Sequence, residues 1–225
     1  MAKLRRAAGL FGAALFGLAG CSSNVFEPGG SDLFTGAIQA VIQVFGERPD
    51  VTQLTTGQFA QFDVPVILVT LEDGVTFATA IPLGQNKNMV TWITGDGKSV
   101  MLKDGVLFGT RGLINDLMTA ETDLVDRQLS SRQAGEYTRA FRFLAGDESI
   151  TVDRFYCELT NDGQVSRRIL DVTRSTTQWR ELCFGINTDT EFENFYWLGG
   201  DGTIWDSRQW AGPYQGGIQI QTIQK

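Results

Sequence analysis

Five Asp-Gly pairs constrain this chain more than any other feature: Asp73-Gly74, Asp96-Gly97, Asp104-Gly105, Asp162-Gly163 and Asp201-Gly202. Each stands between short runs of β-branched and aromatic residues. Asp and Gly tolerate the positive φ angles that two-residue hairpin loops demand, so the pairs read as tight turns between antiparallel strands. Val64–Leu71 is expected to pair with Val75–Leu83, then Met89–Thr94 with Ser99–Leu102, followed by Val106–Thr110. A short helix is expected at Leu113–Thr119, because Arg111-Gly112 breaks the strand, and residues 121–135 read as a helical or irregular crossover.

A second set of strands is expected at Tyr137–Leu144, Ser149–Leu159, Val165–Thr173, Gln178–Phe184, Glu191–Leu198, Thr203–Ser207 and Ile218–Ile223. In Ser149–Leu159 the alternation sets Phe155, Cys157 and Leu159 on one face and Arg154, Tyr156 and Glu158 on the other. About a dozen antiparallel strands predict a mainly β fold, either barrel-like or a two-sheet meander. An N-terminal helix is expected from Ser31, with Leu33, Ala37, Val41, Ile42 and Phe45 at helical spacing and Gly46 as its stop. No Pro/Ser-rich linker divides the two strand sets, so residues 31–225 read as a single β-rich domain.

The N-terminus reads as an address. Lys3, Arg5 and Arg6 precede a thirteen-residue apolar and glycine run, Ala7–Ala19. That run is shorter than the roughly 20 residues a membrane span needs and suits a secretory signal. It ends in Leu18-Ala19-Gly20-Cys21, which resembles a bacterial lipobox, with residues 1–20 cleaved and Cys21 carrying the lipid. The alternative is an ordinary signal peptide with a cysteine nearby. Several acyl chains, at about 0.8 kcal/mol per buried CH₂, make a stable anchor. Ser22 at the next position, by resemblance to the sorting signals of bacterial lipoproteins, favours the periplasmic face of the outer membrane. Residues 21–30 then read as a tether.

Removing residues 1–20 takes away three of the 19 basic residues and none of the 26 acidic ones, leaving a net charge of −10. Such a chain is a poor match for nucleic acid or anionic lipid, so membrane contact is expected through the anchor alone. With Cys21 lipidated, Cys157 and Cys183 remain in an oxidising compartment. They read as a disulfide, which in the chain-entropy model is worth roughly 3.5 kcal/mol for this loop, or as two buried thiols.

The sequence offers little catalytic chemistry. The chain has no histidine, which removes Ser-His and Cys-His nucleophilic pairs and the commonest metal ligand. Lys87, Lys98, Lys103 and Lys225 stand in no Ser-x-x-Lys spacing, and no calcium-loop pattern is present. A glycosidase needs only two suitably spaced carboxylates, but acids such as Asp147-Glu148 and Glu191/Glu193 read as solvated. No catalytic residue, metal site or cofactor is assigned.

Binding is the stronger alternative. Five tryptophans offer faces for sugar rings, although most tryptophans in a β protein belong to its core. Trp205 and Trp210 are the surface candidates, with Arg208 and Gln209 between them. Arg208 suits a forked contact to a carboxylate, on a partner or an acidic sugar, or else an internal ion pair. The spacing Trp197-x-x-Gly200-Asp201-Gly202 echoes Trp92-x-x-Gly95-Asp96-Gly97. It reads as one hairpin solution used twice, a diverged duplication being the alternative.

Two blocks, "ITGDGKSVMLKDGVLFGTRGLINDLM" (Ile93–Met118) and "FYWLGGDGTIWDSRQWAGP" (Phe195–Pro213), together with the lipobox and the paired cysteines, resemble the YjbF/GfcB group of lipoproteins. That group is encoded with exopolysaccharide and group 4 capsule systems. The resemblance implies a barrel-like periplasmic lipoprotein at the outer membrane. It implies a non-catalytic accessory role in secretion or assembly of a polysaccharide, beside an outer-membrane β-barrel or other export proteins of the same system. The polysaccharide itself is a further possible ligand. A glycan-binding module built on Trp205 and Trp210 is the rival reading, and a glycosidase the weaker one.

Overall fold

The computed structural model describes residues 51–74, 76–144 and 149–225. The signal, Cys21, the tether, the helix expected from Ser31, Val75 and Asp147-Glu148 lie outside the described residues. After a 3-10 turn (Val51–Gln53) and the one-turn helix α1 (Thr56–Phe59), the chain forms β1 (Val66–Thr70), β2 (Phe77–Asn86), β3 (Met89–Thr94), β4 (Ser99–Lys103), β5 (Val106–Arg111) and β6 (Leu117–Ala120). Helix α2 (Asp123–Ser131) then leads into β7 (Gly135–Leu144), β8 (Ile150–Ile169), β9 (Val172–Gly185), β10 (Glu191–Leu198), β11 (Ile204–Trp210) and β12 (Gly217–Gln224).

All twelve strands join one antiparallel sheet in the order β5-β4-β3-β2-β1-β12-β11-β10-β9-β8-β7-β6. The two-sheet alternative is thereby replaced by a single sheet that curls into a nearly closed barrel. Its two outermost strands, β5 and β6, come back together. Arg111 Nη1 donates to the Leu117 carbonyl, and Leu117 N donates to Thr110 Oγ1. Gly109 permits this approach, since a Cβ there would lie 3.1 Å from the carbonyl oxygens of both Leu117 and Met118.

Four of the five Asp-Gly pairs make the expected turns. Between β4 and β5, Asp104 (φ 51°) and Gly105 (φ 85°) both take the positive φ of a two-residue hairpin loop. The fifth pair does not turn the chain. Asp162-Gly163 lies inside β8, where the register against β9 slips between Asn161 and Gly163. Gly163 (φ 93°) absorbs the extra residue as a bulge. The true reversal comes at Leu170-Asp171, so the expected strand Val165–Thr173 runs through a hairpin tip. The helix expected at Leu113–Thr119 is also corrected: Leu117–Ala120 is strand β6, paired with β7.

Connections alternate between two ends of an antiparallel barrel. One, the arm end, carries α1, α2 and the β8–β9 tip. The other, the far rim, carries the connections after β1, β3, β5, β7, β9 and β11. The core fills the barrel: Ile67, Val100, Leu102, Phe141, Phe155, Trp179, Tyr196 and Ile218 come from strands all round it and pack as one buried cluster. A second cluster (Leu54, Phe59, Val66, Leu68, Ile81, Ile169, Ile223) lies on the outer face of β1, β2 and β12. Strand β1 is therefore buried on both faces, as its run Val66-Ile67-Leu68-Val69 requires.

What covers that outer face is the β8–β9 hairpin, which runs on past its partners. The last β7 pairing is Gly135↔Leu159 and the last β10 pairing is Leu198↔Thr177. Beyond them the hairpin becomes an arm, bent at the Gly163 bulge. The tip is fastened where Thr56 N and Oγ1 both donate to Asp171 Oδ1, at 2.7 and 2.9 Å. Ile169 is buried beneath it, and full burial of such a side chain contributes about 1.5–3 kcal/mol. Truncating it, Ile169→Ala, should lower unfolding free energy by about 2–5 kcal/mol through lost burial and the cavity left behind. Urea unfolding followed by tryptophan fluorescence measures it.

Candidate functional site

The strand read as a candidate surface, β11, is buried or half-buried everywhere but Arg208, between the lumen and the arm. Trp210 is a core residue. Its ring stacks on Phe192 at 4.4 Å and meets Phe141, Phe143 and Phe155 edge-on. Gln209 is buried as well and braces the barrel across its interior. Its side chain accepts from Leu107 N (2.8 Å) and donates to the Gly105 carbonyl and to Ser207 Oγ, both at 3.0 Å. Arg208 is exposed and forms the internal ion pair, with Glu72 at 2.8 Å.

Trp205 is half-buried and its ring is engaged by cations: the Arg174 guanidinium lies 3.5 Å from the ring centroid and the Lys225 ammonium 4.8 Å. The reading of Trp205 and Trp210 as surface residues is thus corrected. For Trp205 the physical reason is the arm laid over the outer face, which brings Arg174 onto its ring; for Trp210 it is the cluster of Phe141, Phe143, Phe155 and Phe192 that its ring joins in the lumen. The glycine-rich turn beside it is equally occupied. Arg132 Nη2 donates to the carbonyls of Gly199 (2.9 Å) and Gly200 (3.0 Å). A Cβ on Gly199 would lie 2.6 Å from Trp205 Nε1, so the turn takes glycine for close packing. The echoed turn after Trp92 lies on the far rim, whereas this one lies at the arm end. The two copies share turn chemistry and no common site.

The lumen holds a polar constellation that was not singled out from sequence. Glu181 is fully buried and both its carboxylate oxygens are saturated. Arg139 Nη1 donates to both, at 2.8 and 2.9 Å. Tyr137 OH (2.8 Å), Tyr196 OH (2.9 Å) and Asn194 Nδ2 (2.6 Å) donate as well. Burial pushes the Glu181 carboxyl up, but Arg139 and the surrounding donors outweigh it and hold it below the usual carboxylate value. Burial, then the Glu181 charge, raises both tyrosines. A signal for the cluster exists in the alternation: Arg139 occupies the same parity as Tyr137, Phe141 and Phe143, Glu181 that of Trp179 and Cys183, and Asn194 that of Phe192 and Tyr196.

Cys157 and Cys183 sit opposite each other in this cluster, Cα–Cα 4.1 Å, with their sulfurs joined. Cys157, Cys183 and Glu181 come together closely enough to suggest metal ligands. Joined sulfurs and a carboxylate already accepting five hydrogen bonds leave that set no free donor. The same saturation keeps Glu181 from serving as an acid or base toward a substrate.

A second buried acid, Asp206, lies under the arm. Burial pushes it up against the opposing pull of Arg167 (2.7 Å), Gln221 and Gln219. Arg167 also lies 3.8 Å over the Trp197 ring, so this group binds the arm to the barrel. A shallow depression of about 300 Å³ beside α2 is lined by Glu121, Asp123, Arg127, Tyr137 and Arg139 among others.

These observations define a solid antiparallel β-barrel, whose interior is core and whose tryptophans and arginines hold its parts together. The chain belongs to the family described as the group 4 capsule polysaccharide lipoprotein gfcB, YjbF, whose model matches residues 31–223. Among solved structures it resembles the hypothetical lipoprotein YmcC from Escherichia coli (K12), at 15% identity and a TM-score of 0.69, over 84% of this chain and 94% of that one. That likeness is one of fold. No curated protein matches the chain by sequence.

Two outcomes follow from the lumen. Glu181→Gln strands the Arg139 charge in the core and should cost about 3–5 kcal/mol at neutral pH. Because the folded carboxyl titrates below its ordinary 4.5, its contribution is complete above that value and lost as pH falls through the folded value. The gap between wild type and Glu181→Gln, read by urea unfolding from about pH 7 to about pH 3, should therefore narrow on acidification. For the cysteines, we propose a disulfide in the mature protein. Denatured wild type should take up no thiol reagent at Cys157 or Cys183 before reduction, and replacing both by alanine should cost about 2–5 kcal/mol.

Proposed function

We propose that this chain is an outer-membrane lipoprotein, anchored through Cys21, that serves secretion or assembly of a surface polysaccharide as a non-catalytic accessory subunit. The family match across residues 31–223 carries this reading. The packed lumen supports it, since among the described residues a barrel filled with Trp179, Tyr196, Phe141 and Phe155 leaves no channel or sugar cleft through its middle. Engagement of Trp205 by Arg174 and Lys225 removes the observation that favoured direct glycan stacking. The protein then acts through contacts with other export proteins, an outer-membrane β-barrel of the same system among them.

Deletion of the gene should abolish or sharply reduce surface polysaccharide. Wild type should restore it, and Cys21→Ala, which removes the anchoring thiol, should fail to do so. Purified protein mixed with the polymer should neither depolymerise it nor give binding heat that changes with Trp205→Ala. Unchanged polysaccharide in the deletion strain would sink the reading.

A further inference from the structure

We infer that the far rim of the barrel is a protein-docking surface, and that its partner presents an apolar patch flanked by basic residues. This rests on the accessory-subunit reading above and gives it a place on the molecule.

Among the described residues nine large hydrophobic side chains are exposed, and seven lie toward the far rim. Ile114 (75% exposed) projects from the β5–β6 connection, Ile150 (57%) and Leu144 from the β7–β8 end, Ile186 (58%) with Phe184 from the β9–β10 end, and Tyr214 (75%) from the β11–β12 turn. Tyr156, the seventh, is paired in register with Phe184. Single exposed hydrophobics are ordinary on any protein, but a contiguous set is not. These follow one another along a single arc of the sheet, from β6 through β7, β8, β9, β10 and β11 to β12. The rest of the rim holds the Asp73-Gly74 and Asp96-Gly97 turns, which are polar. Connections ordinarily take polar residues at their apices, and three of the four along this arc carry an exposed Ile114, Ile186 or Tyr214.

The connections are also held in place. Asp116 accepts from Gly112 N (2.7 Å), Leu113 N (3.0 Å) and Thr110 Oγ1 (3.0 Å), which fixes the loop that bears Ile114. Asn187 accepts from Arg154 N (2.7 Å) and donates to the Val152 carbonyl (2.9 Å), while Ile186 N donates to the Arg154 carbonyl (2.7 Å). These bonds fasten Ile186 against Arg154 of β8, the strand that also carries Ile150. In the last turn Ala211 N and Gly216 N donate to the Gly216 and Gly212 carbonyls, both at 2.8 Å. Apolar groups on pre-ordered turns lose little entropy when a partner covers them.

Charge identifies the kind of partner. Asp153, Asp189 and Glu191 stand with Arg154 on the β8–β10 stretch of the arc, while Arg208 is paired with Glu72, Arg142 with Glu121 and Lys98 with Asp96, and Arg111 donates to the Thr110, Leu117 and Met118 carbonyls. An acidic border disfavours an anionic lipid surface and a second copy of the same rim, and it complements a basic protein surface.

The test uses full-length protein in cells that make the polysaccharide, with a photo-crosslinking phenylalanine analogue placed at Ile114, Ile150, Ile186 or Tyr214. The remaining two exposed hydrophobics, Leu83 and Leu124, serve as controls. Adducts from rim positions to one envelope protein of the polysaccharide system, lost when that protein's gene is deleted and absent from the controls, are the expected result. Adducts only to a second copy or to lipid, adducts to proteins outside the system, equal labelling from Leu83 and Leu124, or no adduct at all would each overturn the inference. As a second measurement, Ile150→Asp combined with Ile186→Asp should reduce polysaccharide to the level of the deletion strain while the purified variant unfolds as wild type does. A variant that unfolds early is set aside in favour of the crosslinks, where single replacements decide. If the deletion strain loses polysaccharide but the folded rim variant does not, the docking surface fails and the accessory reading stands. If the deletion strain loses nothing, both fail.

Discussion

A sheet of twelve strands closing on itself encloses more space than small side chains can fill. Eight strands already give an interior just wide enough for side chains to meet. This barrel meets the constraint with bulk: Trp179, Tyr196, Phe141, Phe155 and Trp210 all point into one cluster. Bulk alone is not enough near the middle, where Tyr137 and Tyr196 bring hydroxyls that need partners. The Arg139–Glu181 pair supplies them, and Asn194 links the pair to β11 by accepting from Trp210 N at 2.6 Å. Buried charges are costly unless saturated. Each charge here is satisfied by residues of the other strands, so the lumen fixes which strands stand opposite one another.

The outer face obeys a different logic. Beyond the barrel proper, β8 and β9 have no neighbours but each other, and an isolated hairpin is marginal in water. The arm gains stability by laying Ile169 and Leu170 against α1 and β1, and by placing Arg167 and Arg174 over Trp197 and Trp205. Those two arginines are directly opposite in register, an arrangement that repels in an isolated pair. Stacking on separate tryptophans, with Asp206 accepting from Arg167, offsets that repulsion. The aromatic and charged residues of β10 and β11 are thereby spent on holding the arm.

Much of this was legible in the sequence, because hairpin chemistry and two-residue alternation are local. The turns at Asp73, Asp96, Asp104 and Asp201, most strand positions, and the inward set Phe155, Cys157 and Leu159 needed no tertiary information. The errors arose where distant contacts override local preference. Asp162-Gly163 has turn chemistry, but the ladder continues past it and Gly163 serves a bulge. Leu170 takes a φ of 51°, a conformation leucine resists, because its side chain packs on the outer cluster and Asp171 is held by Thr56. Trp205 reads as exposed because nothing local reveals the arm that brings Arg174 over it, and Trp210 because nothing local reveals the aromatic cluster it joins in the lumen. The Arg139–Glu181 pair was visible as charge at an inward parity, a signal that becomes informative once the strands are known to close.

The pairing of β1 with β12 bears on the order in which the fold can form. Val66 lies opposite Gln224, so one of the central ladders joins residues nearly 160 positions apart, while the hairpins on either side of it are local. Contacts of such separation are slow to form. Until β12 arrives, β1 and β11 each present an unpaired edge, and β1 is apolar on both faces. Such edges invite pairing with other chains. A ribosome delivers β1 long before β12, so the nascent chain carries this adhesive strand until β12 follows. Its solubility over that interval depends on being kept extended or escorted, and only the last eight-residue strand completes the fold.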